Sequence, residues 1–345
     1  MILVASSLIS IAVAAAPITT PPSPPPLRIA FAPVLESQPL LAQDKAAPTG
    51  CRDPVSETTP EPARGDEPEP DSPPRVVGAD VFAGGKLLLT NGVTTVDGSS
   101  GGGLARWATI GGRQMPGGIG LSTHATAIEL SDYGWRSYGV MLGIGDRVEL
   151  SYARADFDTR DIGALQGIGQ GYTFNLDTFG AKLRIAGDLV YGETWLPQIA
   201  VGIEHKRSRD GALVRALGAA DASGTDYTLS ATKLVLARSL LVNATLRYTQ
   251  ANELGLLGFG SAMGAGYQLQ FEGSLGYQLS RRAVLGAEFR SKPDNLGLGD
   301  DDWLDVFVAY ALNDHLTFTA AYVDLGSIAT IPDQRGAFLS AQVAF

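Results

Sequence analysis

A single cysteine, Cys51, stands in 345 residues, so no disulfide within the chain staples this fold. Basic residues are outnumbered, 26 Lys and Arg against 36 Asp and Glu, for a net charge of −10, which argues against a general affinity for nucleic acid. Long apolar runs are missing beyond the N-terminus, although 45% of the residues are hydrophobic; no stretch there approaches the ~20 residues of a membrane-spanning helix. Histidine occurs three times, as His124, His205 and His315, and none lies in a recognisable triad motif or in a cluster with metal-ligand spacing. The glycine run 101–103 lacks the Lys and Ser/Thr of a phosphate loop. "GDDDWLD" at 299–305 lacks full calcium-loop spacing and reads as a solvated acidic loop. No catalytic residue, metal or cofactor is expected.

Proline is scarce after residue 75: sixteen of the twenty lie in residues 1–75. That region divides in two. "ILVASSLISIAVAAA", Ile2 to Ala16, is apolar and ends in small residues with A-x-A triplets, although no Lys or Arg precedes Arg28. It reads as an export signal over 1–16, with a short membrane anchor as the rival. Residues 17–75 are Pro-rich, with seven acidic residues and one basic residue between Asp53 and Asp71. Such a segment has little to bury against its ordering entropy and is expected to be a disordered spacer. The remainder, 76–345, forms the third region.

There the pattern is alternation with period two. "RGAFLSAQVAF" places Ala337, Leu339, Ala341, Val343 and Phe345 on one side, and Gly336, Phe338, Ser340, Gln342 and Ala344 on the other. "LDVFVAYAL" sets Leu304, Val306, Val308, Tyr310 and Leu312 against Asp305, Phe307 and Ala309; "QLQFEGSLGYQL" sets Leu269, Phe271 and Leu275 against Gln270, Glu272 and Ser274.

A soluble sandwich also alternates. Strand length, turn asymmetry and aromatic placement favour a membrane barrel instead. The segments run roughly 9–13 residues, near the ~9–11 of tilted membrane strands. Short links at "IGD", "LSRR" and "LND" alternate with long ones at 157–170, 207–225, 251–265 and 292–301. Tyr277, Tyr310 and Phe345 fall near one rim, and Tyr248, Phe289 and Tyr322 near the other.

The expected fold is therefore all-β: a transmembrane antiparallel up-and-down barrel of 12–14 strands, contacting outer-membrane lipid, with linker and C-terminus periplasmic. Candidates lie at 84–96, 104–112, 121–130, 135–144, 146–156, 171–186, 194–206, 226–238, 241–250, 266–279, 281–291, 302–312, 314–324 and 335–345. The first three alternate poorly, and within 226–238 the apolar register slips after Lys233, which suggests a bulge.

The final strand resembles the assembly signal of Gram-negative outer-membrane proteins. That resemblance implies that the barrel-assembly machinery reads Leu339, Ala341, Val343 and Phe345. "FAGGKLLLTNGVTTVDGSSGGGLARWATIGG", "RVELSYARADFDT", "TWLPQIAVGIEHK" and "RYTQANELGLLGFGS" resemble, in order, the blocks of an uncharacterised Gram-negative family with a domain of unknown function. This likeness implies an exported, membrane-associated protein and brings no substrate with it.

The polar face carries Lys182, Arg184, Lys206, Arg247, Arg282, Arg290 and Lys292 against Glu204, Glu272, Glu288 and Asp305. Lys182, Arg184, Arg247, Glu272, Glu288 and Arg290 are the expected pore lining. The excess of bases predicts mild anion preference. Two functions follow: a passive channel or transporter for small solutes, or a structural or adhesive anchor presenting loops and a periplasmic arm, with no transport. The apolar loop 254–264 reads as an inward plug or constriction, or as an entrance for an apolar ligand. On the expected register, Phe271→Arg costs far more stability than Glu272→Arg.

Overall fold

A computed structural model of the chain describes residues 85–345 except residue 87 and residues 192–194. All belong to one compact unit, Ser72–Phe345. The export signal, the Pro-rich linker and Cys51 lie outside the described residues.

A two-residue pair comes first, β1 (Val93–Thr94) with β2 (Ser100–Gly101). Twelve strands then form the wall: β3 (Ile119–Leu130), β4 (Gly134–Ile144), β5 (Val148–Asp158), β6 (Thr173–Ala186), β7 (Gln198–Ser208), β8 (Ser223–Val235), β9 (Leu240–Thr249), β10 (Gln268–Ser280), β11 (Ala283–Arg290), β12 (Trp303–Ala311), β13 (Leu316–Asp324) and β14 (Arg335–Ala344). Each pairs antiparallel with its sequence neighbour, and β14 closes the barrel on β3. Among the described residues no helix is long and apolar enough to cross a membrane.

Period-two alternation becomes two faces. Along β12, Trp303, Asp305, Phe307, Ala309 and Ala311 are buried while Leu304, Val306, Val308 and Tyr310 are exposed. Leu150, Ile203, Leu229, Leu246 and Leu275 extend that outward apolar band around the wall. Tyr277, Tyr310 and Phe345 are exposed at one rim, and Tyr248 and Tyr322 at the other, the amphipathic rings marking the two lipid–water boundaries. Turns at one end are short (145–147, 236–239, 281–282, 312–315), apart from 187–197. The other end carries the long loops 159–172, 209–222, 250–267, 291–302 and 325–334.

Two expected strands are not wall. The described part of 84–96, and all of 104–112, lie inside the barrel. The weakly alternating 121–130, by contrast, is wall, within β3. No bulge interrupts β8 after Lys233, because Lys233↔Val242, Leu234↔Leu241 and Val235↔Leu240 pair in unbroken register. The apolar pattern slips there because the lumen itself becomes apolar: Leu234 and Leu241 both point inward, in a cluster with Trp107 and Phe307. The irregular positions fall instead at Arg184/Ala186 and Gln278/Ser280.

Phe345 helps close the barrel. Its carbonyl accepts from the amides of Arg113 (3.0 Å) and Leu121 (3.1 Å), and its own amide donates to Leu121 (2.7 Å). Deleting Phe345 removes all three bonds, whereas Phe345→Ala keeps them. On heat-modifiable gel mobility after refolding, the deletion should lower the folded fraction clearly more than the alanine variant. Equal losses would assign the effect to the aromatic ring alone.

Candidate functional site

The lumen is occupied by the chain's own segment 88–113. Small residues allow the passage: a Cβ on Gly102 would lie 1.8 Å from Glu288 Oε1, so a larger residue there would push aside the carboxylate that accepts the Leu104 and Ala105 amides. Every strand from β5 to β11 bonds to this segment. Gly111 donates its amide to Glu149 (2.7 Å), and Lys182 donates to the carbonyls of Ser100 and Thr109 (both 2.9 Å). Gln198 donates to the Ala108 carbonyl (2.6 Å), and Ala108 donates its amide to Thr232 Oγ1 (2.8 Å). The Arg106 carbonyl accepts from Thr245 Oγ1 (2.6 Å) and Asn243 Nδ2 (3.1 Å). Glu272 accepts the Arg106 amide (2.8 Å), and Glu288 accepts those of Leu104 (2.7 Å) and Ala105 (3.2 Å).

An ionic layer crosses the lumen at the long-loop halves of β7 to β11. Asp97 of the segment faces Arg290 (2.8 Å), Lys206 (3.1 Å) and Arg247 (3.4 Å). Arg106 of the segment pairs with Glu204. Around them Lys206 meets Asp226 (2.9 Å), and Arg247 meets Glu204 (2.9 Å), Asp226 (3.1 Å) and Glu272 (2.5 Å). Four cations (Arg106, Lys206, Arg247, Arg290) thus match four anions (Asp97, Glu204, Asp226, Glu272), all buried. Buried ions persist only when paired this fully. Apolar layers lie above and below: Val96, Leu104 and Phe338 toward the long loops, Val93, Trp107 and Phe307 toward the short turns.

Five of the six residues expected to line the pore, Lys182, Arg247, Glu272, Glu288 and Arg290, point inward and are buried against the internal segment. Arg184 sits apart at the short-turn rim, with Asp146 (2.8 Å) and Asp188 (2.9 Å). The anion preference expected from an excess of bases loses its basis, because Asp97, Glu149 and Asp226 also face the lumen and were left out of that balance. Asp97 hides in a run of small residues without strand alternation, and pattern alone does not mark it. Leu339, Ala341, Val343 and Phe345 face outward on β14 and just beyond it.

Above the plug, the long loops enclose a cavity of about 250 Å³. Its wall is built from Tyr133, Trp135, Phe157, Phe174 and Trp303, with Leu256, Leu257, Leu296, Leu298 and Ile328. Trp135 meets Trp303 edge to face at 6.3 Å and 86°, and meets Phe157 at 5.8 Å and 78°. Loop 250–267 folds inward as one side of this cavity. Glu253 and Leu254 take left-handed backbone (φ 43° and 61°), and Leu254, Leu256 and Leu257 are buried. The loop is thus a cavity wall above the lumen, not the lumen plug.

The same turn buries Glu253, which accepts from Lys292 Nζ (2.7 Å). Desolvation pushes its carboxyl up from the ordinary 4.5 to about 8; the Lys292 charge opposes that and the Asp300 charge adds to it. The folded loop therefore holds the proton more tightly than the open loop. Its stability is intact below the ordinary carboxylate range and is lost as pH rises toward about 8. Hydrogen exchange at Asn252–Gly260, corrected for intrinsic rates, should lose roughly tenfold or more of its protection between pH 6 and 9. Glu253→Gln should flatten that profile; an unchanged slope would place the titration elsewhere.

His124 Nε2 lies 3.4 Å from Ser137 Oγ inside the barrel; His205 contacts Thr225, and His315 the Ala344 carbonyl. Among the described residues no group of three His, Cys, Asp or Glu is placed to hold a metal.

The family model described as protein of unknown function (DUF3034) matches residues 90–342. No curated protein matches the sequence. Among solved structures, the KdgM porin is similar over 65% of this chain and 99% of its own, at 10% identity and TM-score 0.43. The NanC porin is similar over 65% and 98%, at 11% and 0.42. Outer membrane phospholipase A from Escherichia coli is similar over 65% and 91%, at 11% and 0.35.

Proposed function

This chain belongs to the DUF3034 family of proteins of unknown function, and from its own geometry we propose a gated outer-membrane transporter for small solutes. One observation carries the reading: the lumen of a twelve-stranded barrel is filled by segment 88–113, which is not part of the wall. Twelve strands enclose more space than wall side chains fill, so movement of that segment would leave a passage. The short-turn end and Phe345 lie on the periplasmic side. The long loops face outward, and the apolar cavity is where solute is first held. The final strand, with Leu339, Ala341, Val343 and Phe345, is what the barrel-assembly machinery engages.

The fully matched ionic layer favours a second reading, a permanently closed barrel that anchors its loops. Planar bilayers separate the two. Under the transport reading, the wild type shows rare, brief openings, and a variant lacking 88–113 conducts continuously. A wild type silent at every voltage beside a conducting deletion variant would favour the anchor. Silence from both, each verified as folded, would overturn transport through this lumen.

A further inference from the structure

We propose that solute passes the plug along β13, β14, β3 and β4, and that this side of the lumen admits small uncharged polyols. The proposal deepens the transport reading, on which it rests, by naming a path and a solute class.

The lumen has two unlike sides. The wall charges of the ionic layer all stand on β7 to β11. From β13, β14, β3 and β4 no Asp, Glu, Lys or Arg points inward. The inward side chains there carry no fixed charge, and cross-strand register sets the polar ones in rows. Ser137, Thr126, Ser340 and Thr319 form one row, and His124, Gln342 and Thr317 the next toward the short turns. Ser122 follows on β3. Gln114 lies beyond it, close against Gly120 and Gly143; a Cβ on Gly143 would lie 2.2 Å from its Nε2. This polar stripe joins two cavities. Gln114 belongs to the wall of one, of about 230 Å³, at the short-turn end. At the other end a single apolar level, Ile128, Trp135 and Phe338, separates the stripe from the loop-side cavity, of which Trp135 is itself a wall.

Bonding is just as uneven. Strands β5 to β11 hold segment 88–113 by ion pairs and main-chain bonds. Among the described residues, the bond it receives from within β13, β14, β3 and β4 is that of Ser137 Oγ to the Val96 carbonyl, at 3.4 Å. Polar atoms of the stripe meanwhile go unpaired. Ser122 Oγ, His124 Nδ1 and both side-chain amide atoms of Gln342 and of Gln114 are buried with no hydrogen-bond partner. They have no accessible surface while the plug is seated, and such groups are costly to leave unmade. The plug therefore separates most easily from this side, where movement breaks one long bond and lets in water or solute to pair those atoms. A path so lined discriminates by charge first, because a charged solute would leave water and meet no opposite charge. An apolar solute would leave the hydroxyl, imidazole and amide groups without partners. A polyol brings donors and acceptors together, and its C–H face suits Ile128, Trp135 and Phe338.

Uptake by proteoliposomes holding the full chain tests this with two radiolabelled probes of nearly equal size, erythritol and the anion erythronate. Protein-free vesicles set the background. The folded wild type should take up erythritol above background and favour it over erythronate by about tenfold or more. Gln342→Leu removes two of the unpaired atoms. It should unfold at higher urea than the wild type, and its erythritol-to-erythronate ratio should fall about 3- to 10-fold, the range of one net hydrogen bond. A tighter plug alone would slow both probes alike and leave the ratio unchanged. Ser122→Ala should move both readings in the same directions and covers the case in which Gln342→Leu fails to fold. Equal uptake of the two probes by the wild type, or a ratio undiminished in the folded variants, would overturn the proposal and leave transport standing. So would ionic conductance in planar bilayers without erythritol uptake. If neither probe enters and the bilayers stay silent, the transport reading fails and the proposal falls with it.

Discussion

Asp97→Asn should release the plug while leaving the wall intact. Asp97 is the one acid of the internal segment in the ionic layer, and it faces Lys206, Arg247 and Arg290 together. Asparagine keeps the size and removes the charge, leaving four buried cations against three anions. Each of the three wall cations keeps an acid on the wall: Lys206 has Asp226 (2.9 Å), Arg247 has Glu272 (2.5 Å), and Arg290 has Glu272 (3.5 Å). What is lost therefore falls mainly on the contact between plug and wall. Removing one partner of a buried ion pair costs about 3–5 kcal/mol. That raises the open-to-closed ratio by about a hundred- to a few-thousand-fold. Single-barrel recordings in planar bilayers would show it as long openings where the wild type is closed. Arg184→Gln serves as the comparison. It breaks partly exposed rim pairs, worth about 0–1 kcal/mol, and should leave closure unchanged. Equal closed times for Asp97→Asn and wild type would mean that the apolar layers and main-chain bonds hold the segment without help from the ions.

Glu272→Arg should destabilise the barrel at least as much as Phe271→Arg. Strand register alone leads to the opposite expectation, since a lumen position is ordinarily wet and tolerant. Phe271 does face lipid, but it stands level with Ser291, just past the end of β11 and two residues inside the Tyr248 rim, so an arginine there costs less than the about 2–4 kcal/mol of the bilayer midplane. Its neighbour, however, faces a filled lumen. Glu272 is fully buried, accepts the Arg106 amide, and lies between Arg247 and Arg290. An arginine there removes that acceptor and sets three guanidinium groups together in a dry layer, which exceeds the about 3–5 kcal/mol of a simple broken pair. Urea titration in lipid vesicles gives both numbers. A mild Glu272→Arg would mean that the lumen is hydrated and the plug absent at that height. In a barrel lacking 88–113, the Glu272→Arg penalty should shrink, because water then reaches the site.

The wall was legible from the sequence because each strand meets two different media. Lipid on one side and a polar interior on the other impose a period of two, and Leu304, Val306, Val308 and Tyr310 against Asp305 carry that period directly. Antiparallel order, the loop asymmetry and the outward Leu339–Phe345 row follow from the same constraint. Where the lumen itself turned apolar, at Leu234 and Leu241, the period lost its meaning and suggested a bulge that does not exist. The plug lay beyond reach for a related reason. Segment 88–113 has no lipid face and therefore no alternation, and its bonds to β5–β11 reach 38 to 186 residues along the chain, from Gly111–Glu149 to Leu104–Arg290. The sequence by itself determined that this protein is a membrane-crossing β-barrel, and which side of each strand meets lipid. Only the tertiary structure decided that the lumen is closed, that its charges are matched, and that Trp135, Trp303 and Glu253 share one cavity. Those outcomes depend on which inward residues stand at the same height on different strands, and single-strand periodicity carries no information about height.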